Sequence, residues 1–222
     1  MSDNPPSARL RIARLVIVVC GLGVWFWTQS LIGTRTPIAR GHGIGDAIHD
    51  WTAPWNAWLQ AHPSAANALL IGSSAGIDAL GVFVIGATIF GRSVRPFLGL
   101  ILLFGLRQIC QALCSLPPPE HMIWHDPGFP SLLVTYGVSN DLFFSGHTAL
   151  AVYGAMELAR LGRRPLVGLA VGVGIFEMTA VLVLRAHYTM DVFAGGVTAL
   201  VVAFLAERVA APCDRWLAHW AG

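Results

Sequence analysis

Apolar residues run in long stretches along this chain, separated by short turns that carry arginine, glycine and proline. Stretches of about 20 residues have the length a helix needs to cross a bilayer. The first extends from Leu15 to about Gly33, behind a proline-bearing, disordered tail over 1–10 and the basic residues Arg9, Arg11 and Arg14. Basic residues before an apolar run also suit a signal peptide. This run, however, is long, carries Trp25 and Trp27 near its far end and has no small-x-small cleavage pattern directly after it, so it reads as a transmembrane helix. Five further spans follow, over 65–90, 97–116, 141–161, 166–184 and 188–211.

The connections differ in kind. Between the first two spans lies a glycine-punctuated segment with Gly41, Gly43 and Gly45, read as turn material because no strand precedes it and no phosphate-loop lysine follows. From Asp46 to His62, Trp51, Trp55 and Trp58 recur at i, i+4 and i+7, which puts three indoles on one helical face. Tryptophan favours the membrane–water boundary, so an interfacial helix is expected there. The turns at 91–96 and 160–165 are basic, and Leu116-Pro117-Pro118-Pro119 stops the third span. The loop from Glu120 to Asn140 contains no arginine.

Composition agrees with the pattern: of 222 residues, 55% are hydrophobic and only 12% charged, and the mean hydropathy is +0.63. The expected fold is an all-α integral membrane protein, a single domain of six transmembrane helices plus the Trp-rich interfacial helix. All 14 basic residues are arginine, and a net charge of +2 spread along the chain excludes a nucleic-acid footprint. A lysine-free chain rich in Ala, Gly and Arg suits a GC-rich bacterial genome, and hence a bacterial plasma membrane. Ten arginines fall in the first tail, the 91–96 and 160–165 turns and the C-terminal region, against Arg35, Arg40 and Arg185 on the other side. The positive-inside rule then puts both termini in the cytoplasm and the Glu120–Asn140 loop and His187 on the outer side. Cys20, Cys110, Cys114 and Cys213 lie in or beside apolar runs and read as small packing residues.

Chemistry gathers at two places on that outer side. His187 and Asp191 stand four apart at the start of the sixth span, so that helix brings them to one face. A carboxylate beside one imidazole nitrogen leaves the other a better base or nucleophile. The second place is Asn140-Asp141-Leu142-Phe143-Phe144-Ser145-Gly146-His147 at the start of the fourth span. Ser139, Asn140 and Asp141 are all suitable N-caps, which would put Ser145, Gly146 and His147 in the first two turns, where free N–H groups attract phosphate and glycine permits close approach. Two histidines and a carboxylate at one membrane face suit phosphoryl transfer through a phosphohistidine, with Arg185 and Arg107 as candidate phosphate ligands.

Phe144-Ser145-Gly146-His147-Thr148 followed by His187-Tyr188-Thr189-Met190-Asp191 resembles the paired motifs of the sphingomyelin synthase family, a branch of the type 2 phosphatidic acid phosphatase superfamily. Arg107 with Leu116-Pro117-Pro118-Pro119 is similar to that family's arginine and Leu-Pro-x-Pro segment, so the resemblance covers about 107–191. It implies a helical bundle of that superfamily's kind, His187 as nucleophile, Asp191 as its partner and His147 as the acid that protonates the leaving group. Arg185 is similar to the arginine at the same offset in plant phosphatidylcholine:diacylglycerol cholinephosphotransferases, and Asp141 to an aspartate of the sphingomyelin synthases. The phosphatase signature's Pro before Ser145 and Ser-Arg ahead of His187 are missing, which favours a phosphotransferase. The implied partners are membrane lipids, a phospholipid donor and ceramide or diacylglycerol as acceptor, with no cofactor and no metal. A lipid phosphatase using water, or a non-catalytic lipid binder or transporter, are the alternatives.

Three further groups carry expectations. Arg107, costly in mid-span unless paired, lies at nearly the depth of Asp78, and a buried Asp78–Arg107 pair is expected. Glu177, about 15 Å deeper than His187 along the fifth span, either pairs with an arginine or lines the lipid cavity. His121, His125 and Asp126 read as a gate over the site rather than a metal set. Tyr188 and Asp141 are read as supporting residues.

Overall fold

Proline placement sets where several helices begin. A proline at the first or second helical position loses no hydrogen bond, because the first N–H groups of a helix have no partner within it. The computed structural model describes residues 7–33, 44–136 and 142–221. Among these, eight helices and no strands occur: α1 Ala8–Gly33, α2 Ala47–Trp51, α3 Ala53–Ala61, α4 Pro63–Phe90, α5 Arg95–Leu113, α6 Gly146–Ala159, α7 Arg164–Val183 and α8 Thr189–Ala221. Helices α3, α4, α5 and α7 each begin on such a proline.

Five helices, α1, α4, α5, α7 and α8, are long and apolar enough to cross a membrane, and the protein is a multi-pass helical membrane protein. The expected fourth span is α6, which has 14 residues. At about 1.5 Å per residue it is near 21 Å long, shorter than the hydrocarbon core. It starts at Gly146 instead of 141, because Leu142 to Ser145 are not helical and Ser145 supplies the cap. The first helix starts at Ala8, inside the expected tail, and α8 continues ten residues past 211 through Pro212. The expected interfacial helix is two helices, broken at Thr52 ahead of Pro54, with Trp51, Trp55 and Trp58 all exposed. The start of the tail, Gly41, Gly43, Ser139, Asn140 and Asp141 lie outside the described residues.

Helix α6 packs against α4, α5, α7 and α8, so its residues are the best-buried in the bundle. Leu150 and Tyr153 of α6 meet Leu80, Val84, Phe97, Leu103 and Val202 in the main core. Tyr153 is fully buried, and its hydroxyl donates to the carbonyl of Pro96 at 3.0 Å. Gly99 makes this possible, since a Cβ there would sit 2.0 Å from the Tyr153 oxygen. Close backbone approach at small residues is how helices associate where no water drives them together. Around this core the outward faces of α1, α7 and α8 stay apolar, with Val19, Val171, Ile175 and Phe204 exposed as lipid would require.

One cluster of charged side chains lies at the end of the bundle away from His147 and His187. Arg14 donates to the carbonyls of Thr88 and Gly91, and Asp214 accepts from Val94 N at 2.8 Å and Ser93 Oγ at 2.6 Å. Arg95 pairs with buried Glu157, and Arg160 with Glu207. These bonds close the ends of α4, α5, α6 and α8 on one side and leave the opposite side for the histidines.

Candidate active site

The Ser145-Gly146-His147 turn is fixed from three directions. Ser145 Oγ accepts from Thr148 N at 3.3 Å and caps α6. The Ser145 N–H donates to the backbone carbonyl of Asp191 at 3.0 Å, which joins the start of α6 to the first turn of α8. Gly195, one turn on, allows that contact, since a Cβ there would lie 2.6 Å from the Ser145 carbonyl oxygen. Arg107 arrives from α5, and its Nε donates to the Phe144 carbonyl at 2.8 Å. A Cβ on Gly146 would sit 3.1 Å from that Nε, so glycine leaves the guanidinium its place.

His147 and His187 therefore reach one pocket although 40 positions separate them. Both line it together with Arg107 and Gly146, and its remaining walls are mostly apolar, with Trp25, Phe104, Trp124 and Leu133. His147 is 8% exposed and His187 5%. The His147 ring stands edge-on to Trp124, with centroids 5.2 Å apart. Asp191 is fully buried, and its Oδ2 lies 3.7 Å from His187 Nδ1. That is attraction range but longer than a hydrogen bond, because the same oxygen accepts from Tyr188 N at 2.9 Å. His147 Nε2, His187 Nδ1 and Asp191 Oδ1 are buried without a hydrogen-bond partner among the described residues.

The backbone of the His187 turn is held by residues that sequence reasoning missed. His49 on α2 donates from Nε2 to the His187 carbonyl at 3.0 Å and stacks on Tyr188 at 5.6 Å. Asp46 caps two helices at once. Its Oδ1 accepts from Ile48 N at 3.0 Å and Thr189 Oγ1 at 2.7 Å, and its Oδ2 from Thr189 N at 2.6 Å. Burial pushes the Asp46 carboxyl up, but the Thr189 bonds and the neighbouring His49 outweigh it and hold the carboxyl below the usual aspartate range. Asn56 on α3 donates to the Val183 carbonyl at 2.9 Å, and Tyr188 Oη to the Pro117 carbonyl at 3.1 Å. An Asp ahead of a short helix was the available signal for Asp46; its second role at α8, 143 positions away, has no local trace.

Several expected placements change. Arg185 is not brought to the pocket. It adopts a left-handed backbone conformation with φ of 54°, and its guanidinium donates to the carbonyls of Glu120 at 3.0 Å and His49 at 3.2 Å. The expected Asp78–Arg107 pair does not form, since the Asp78 carboxylate accepts instead from Leu132 N at 2.8 Å and Leu133 N at 2.9 Å. Equal depth did not amount to a contact because the 131–133 turn offered free N–H groups nearer by. Glu177 is fully buried, accepts from Ser73 Oγ at 2.6 Å and does not line the pocket. His125 pairs with Asn67 at 2.8 Å, Asp126 accepts from Gly128 N at 2.8 Å, and the His121 carbonyl accepts from Gln60 at 2.9 Å. Asp141 lies outside the described residues.

With the geometry in place, comparison with known families gives one match. The family model AtPDCT1/2 aligns with residues 46–208, well over half of the chain. The chain belongs to the AtPDCT1/2 family. The match runs from Asp46 through α2, Arg107, both histidines and Asp191, and leaves out α1 and the end of α8. Membership of the AtPDCT1/2 family places the chain among lipid phosphotransferases of the phosphatidylcholine:diacylglycerol cholinephosphotransferase kind. It corrects the assignment by resemblance to the sphingomyelin synthase and type 2 phosphatidic acid phosphatase branch. Two five-residue motifs around His147 and His187 are too short to separate families, whereas a match over 46–208 does. The composition's hint of a bacterial source gains nothing from it. Comparison with curated proteins and with solved structures returned no match.

Proposed function

We propose that the chain transfers a phosphocholine-type head group from a phospholipid to diacylglycerol through a covalent intermediate on His187. What carries this reading is a single observation: two buried histidines, one in the first turn of α6 and one in the turn before α8, line one apolar-walled pocket with an arginine. The nitrogen of His187 that faces away from Asp191 attacks phosphorus, and the bond from phosphorus to the diacylglycerol oxygen breaks. His147 supplies the proton to the departing alkoxide. In the second half the acceptor hydroxyl gives its proton back to His147 and attacks phosphorus, and the phosphorus–nitrogen bond breaks. Asp191, buried beside the imidazole, stabilises the positive charge that develops on His187, and Arg107 offers charge to the phosphate oxygens.

Burial of both histidines favours a lipid alcohol over water, since a dry, positioned acceptor outcompetes solvent. The arginine asymmetry supports a site on the outer membrane face, with both termini inside and α6 as a short sixth crossing. The purified protein, incubated with choline-labelled phosphatidylcholine and a distinguishable diacylglycerol, is expected to yield labelled phosphatidylcholine on the new backbone. Release of labelled phosphocholine alone would make it a hydrolase, and transfer only to ceramide would overturn the acceptor.

A further inference from the structure

We infer that Trp124 and Tyr136, with Asp126 beside them, form a subsite for the quaternary ammonium of the transferred head group. The inference rests on the phosphocholine reading above and adds to it the part of the protein that selects the head group. Trp124 walls the histidine pocket and also, with Asp126, Phe129 and Tyr136, a cleft on the loop side of that pocket. The Trp124 and Tyr136 rings meet at 5.0 Å between centroids and 44° between planes, which makes an open aromatic corner and not a flat stack. The Tyr136 hydroxyl shares a hydrogen bond with Ser74 of α4, which anchors that side of the corner to the bundle.

Carboxylates dominate the field at the Tyr136 side of the corner, and His125 also lines the cleft. Burial, offset in part by the Ser74 bond, raises the Tyr136 hydroxyl above its ordinary range, and Asp126, Asp78 and Glu177 push it further the same way. The loop from 120 to 136 has no arginine, and its carboxylates are Glu120 and Asp126. An aromatic face in a negative field attracts a cation that cannot donate hydrogen bonds, and tryptophan is the strongest such face. The spacing fits as well, because Trp124 is the ring next to His147, 5.2 Å away, and in phosphocholine two carbons and an oxygen separate nitrogen from phosphorus. With phosphorus at the histidines, the trimethylammonium falls one ring further on. An ethanolamine head group, smaller and strongly hydrated, gains less from aromatic faces.

Binding and transfer test this separately. Phosphocholine and phosphoethanolamine are titrated calorimetrically into the detergent-solubilised full chain, and the chain is assayed with phosphatidylcholine and phosphatidylethanolamine as donors. Wild type is expected to prefer the choline compound, Trp124→Leu and Tyr136→Leu to lose about tenfold in choline-compound affinity with little change for ethanolamine, and Tyr136→Phe to keep the preference. Asp126→Asn is expected to lose a few-fold, more at low salt than at high. Absence of preference in wild type, or equal loss for both compounds in the leucine variants, overturns the subsite. Selective binding of phosphocholine without any transfer would overturn the proposed reaction and leave the subsite standing.

Discussion

Around His187 the polar groups of the turn are tied to other parts of the fold: its carbonyl to His49, the N–H of Tyr188 to Asp191, and Thr189 to Asp46. Around His147 the ring stands nearly perpendicular to Trp124, and its Nε2 has no hydrogen-bond partner among the described residues. The same pocket thus holds one histidine by its backbone through a network and the other through a helix cap and an aromatic wall, each ring keeping a nitrogen without a hydrogen-bond partner among the described residues. The difference suits the two tasks proposed for these histidines. A nucleophile must arrive at phosphorus within a fraction of an ångström, whereas an acid that gives and takes a proton in alternate half-reactions must keep a nitrogen free for substrate.

Substitutions at the two rings should separate these tasks most strongly. His187→Ala is expected to reduce transfer to background, with the donor still bound. His147→Ala should slow both half-reactions by about 10²–10⁴-fold, with partial recovery when the donor carries a better leaving group, which needs less acid assistance. Equal loss in both variants with no leaving-group recovery in the second would erase the distinction. Asp191→Asn keeps an acceptor for Tyr188 N but removes the charge beside His187, and about a 10²-fold loss in kcat with little change in KM is expected.

Smaller effects should come from the frame that joins the two turns. Gly195→Ala forces a methyl to 2.6 Å from the Ser145 carbonyl and should cost about 1–3 kcal/mol, read as a lowered thermal midpoint in detergent. Asp46→Asn removes the charge that caps α2 and α8 and should cost about 1 kcal/mol, with a lower kcat because the start of α8 loosens. The sign with pH follows from the lowered Asp46 carboxyl. Its contribution is present above the ordinary aspartate value of 3.8 and is lost as pH falls through the lower value it has in the folded protein. The wild type should therefore lose stability on acidification below 3.8 more steeply than Asp46→Asn, and parallel acid curves would remove Asp46 from the frame.

The membrane helices and the two histidines could be read from the chain because their signals are local. Apolar runs report spans, and His147 and His187 each sit at the boundary between a turn and such a run. The helix start was misplaced because Ser139, Asn140 and Asp141 all read as competent caps, whereas the cap of α6 is Ser145, whose N–H also bonds the Asp191 carbonyl. Arg185 and Asp78 were assigned by proximity in sequence or depth, but each is captured by backbone groups of a distant turn. His49 and Asp46 act on residues 138 and 143 positions away, a relation created by the fold.

The central claim is that the head group passes through His187. Full-chain protein mixed with choline-labelled phosphatidylcholine in the absence of diacylglycerol, quenched in alkali and digested for mass spectrometry, should carry phosphocholine on the peptide containing His187. That adduct should disappear when diacylglycerol is added before the quench. Transfer at an undiminished rate with no adduct, or an adduct on His147 instead, would contradict the account.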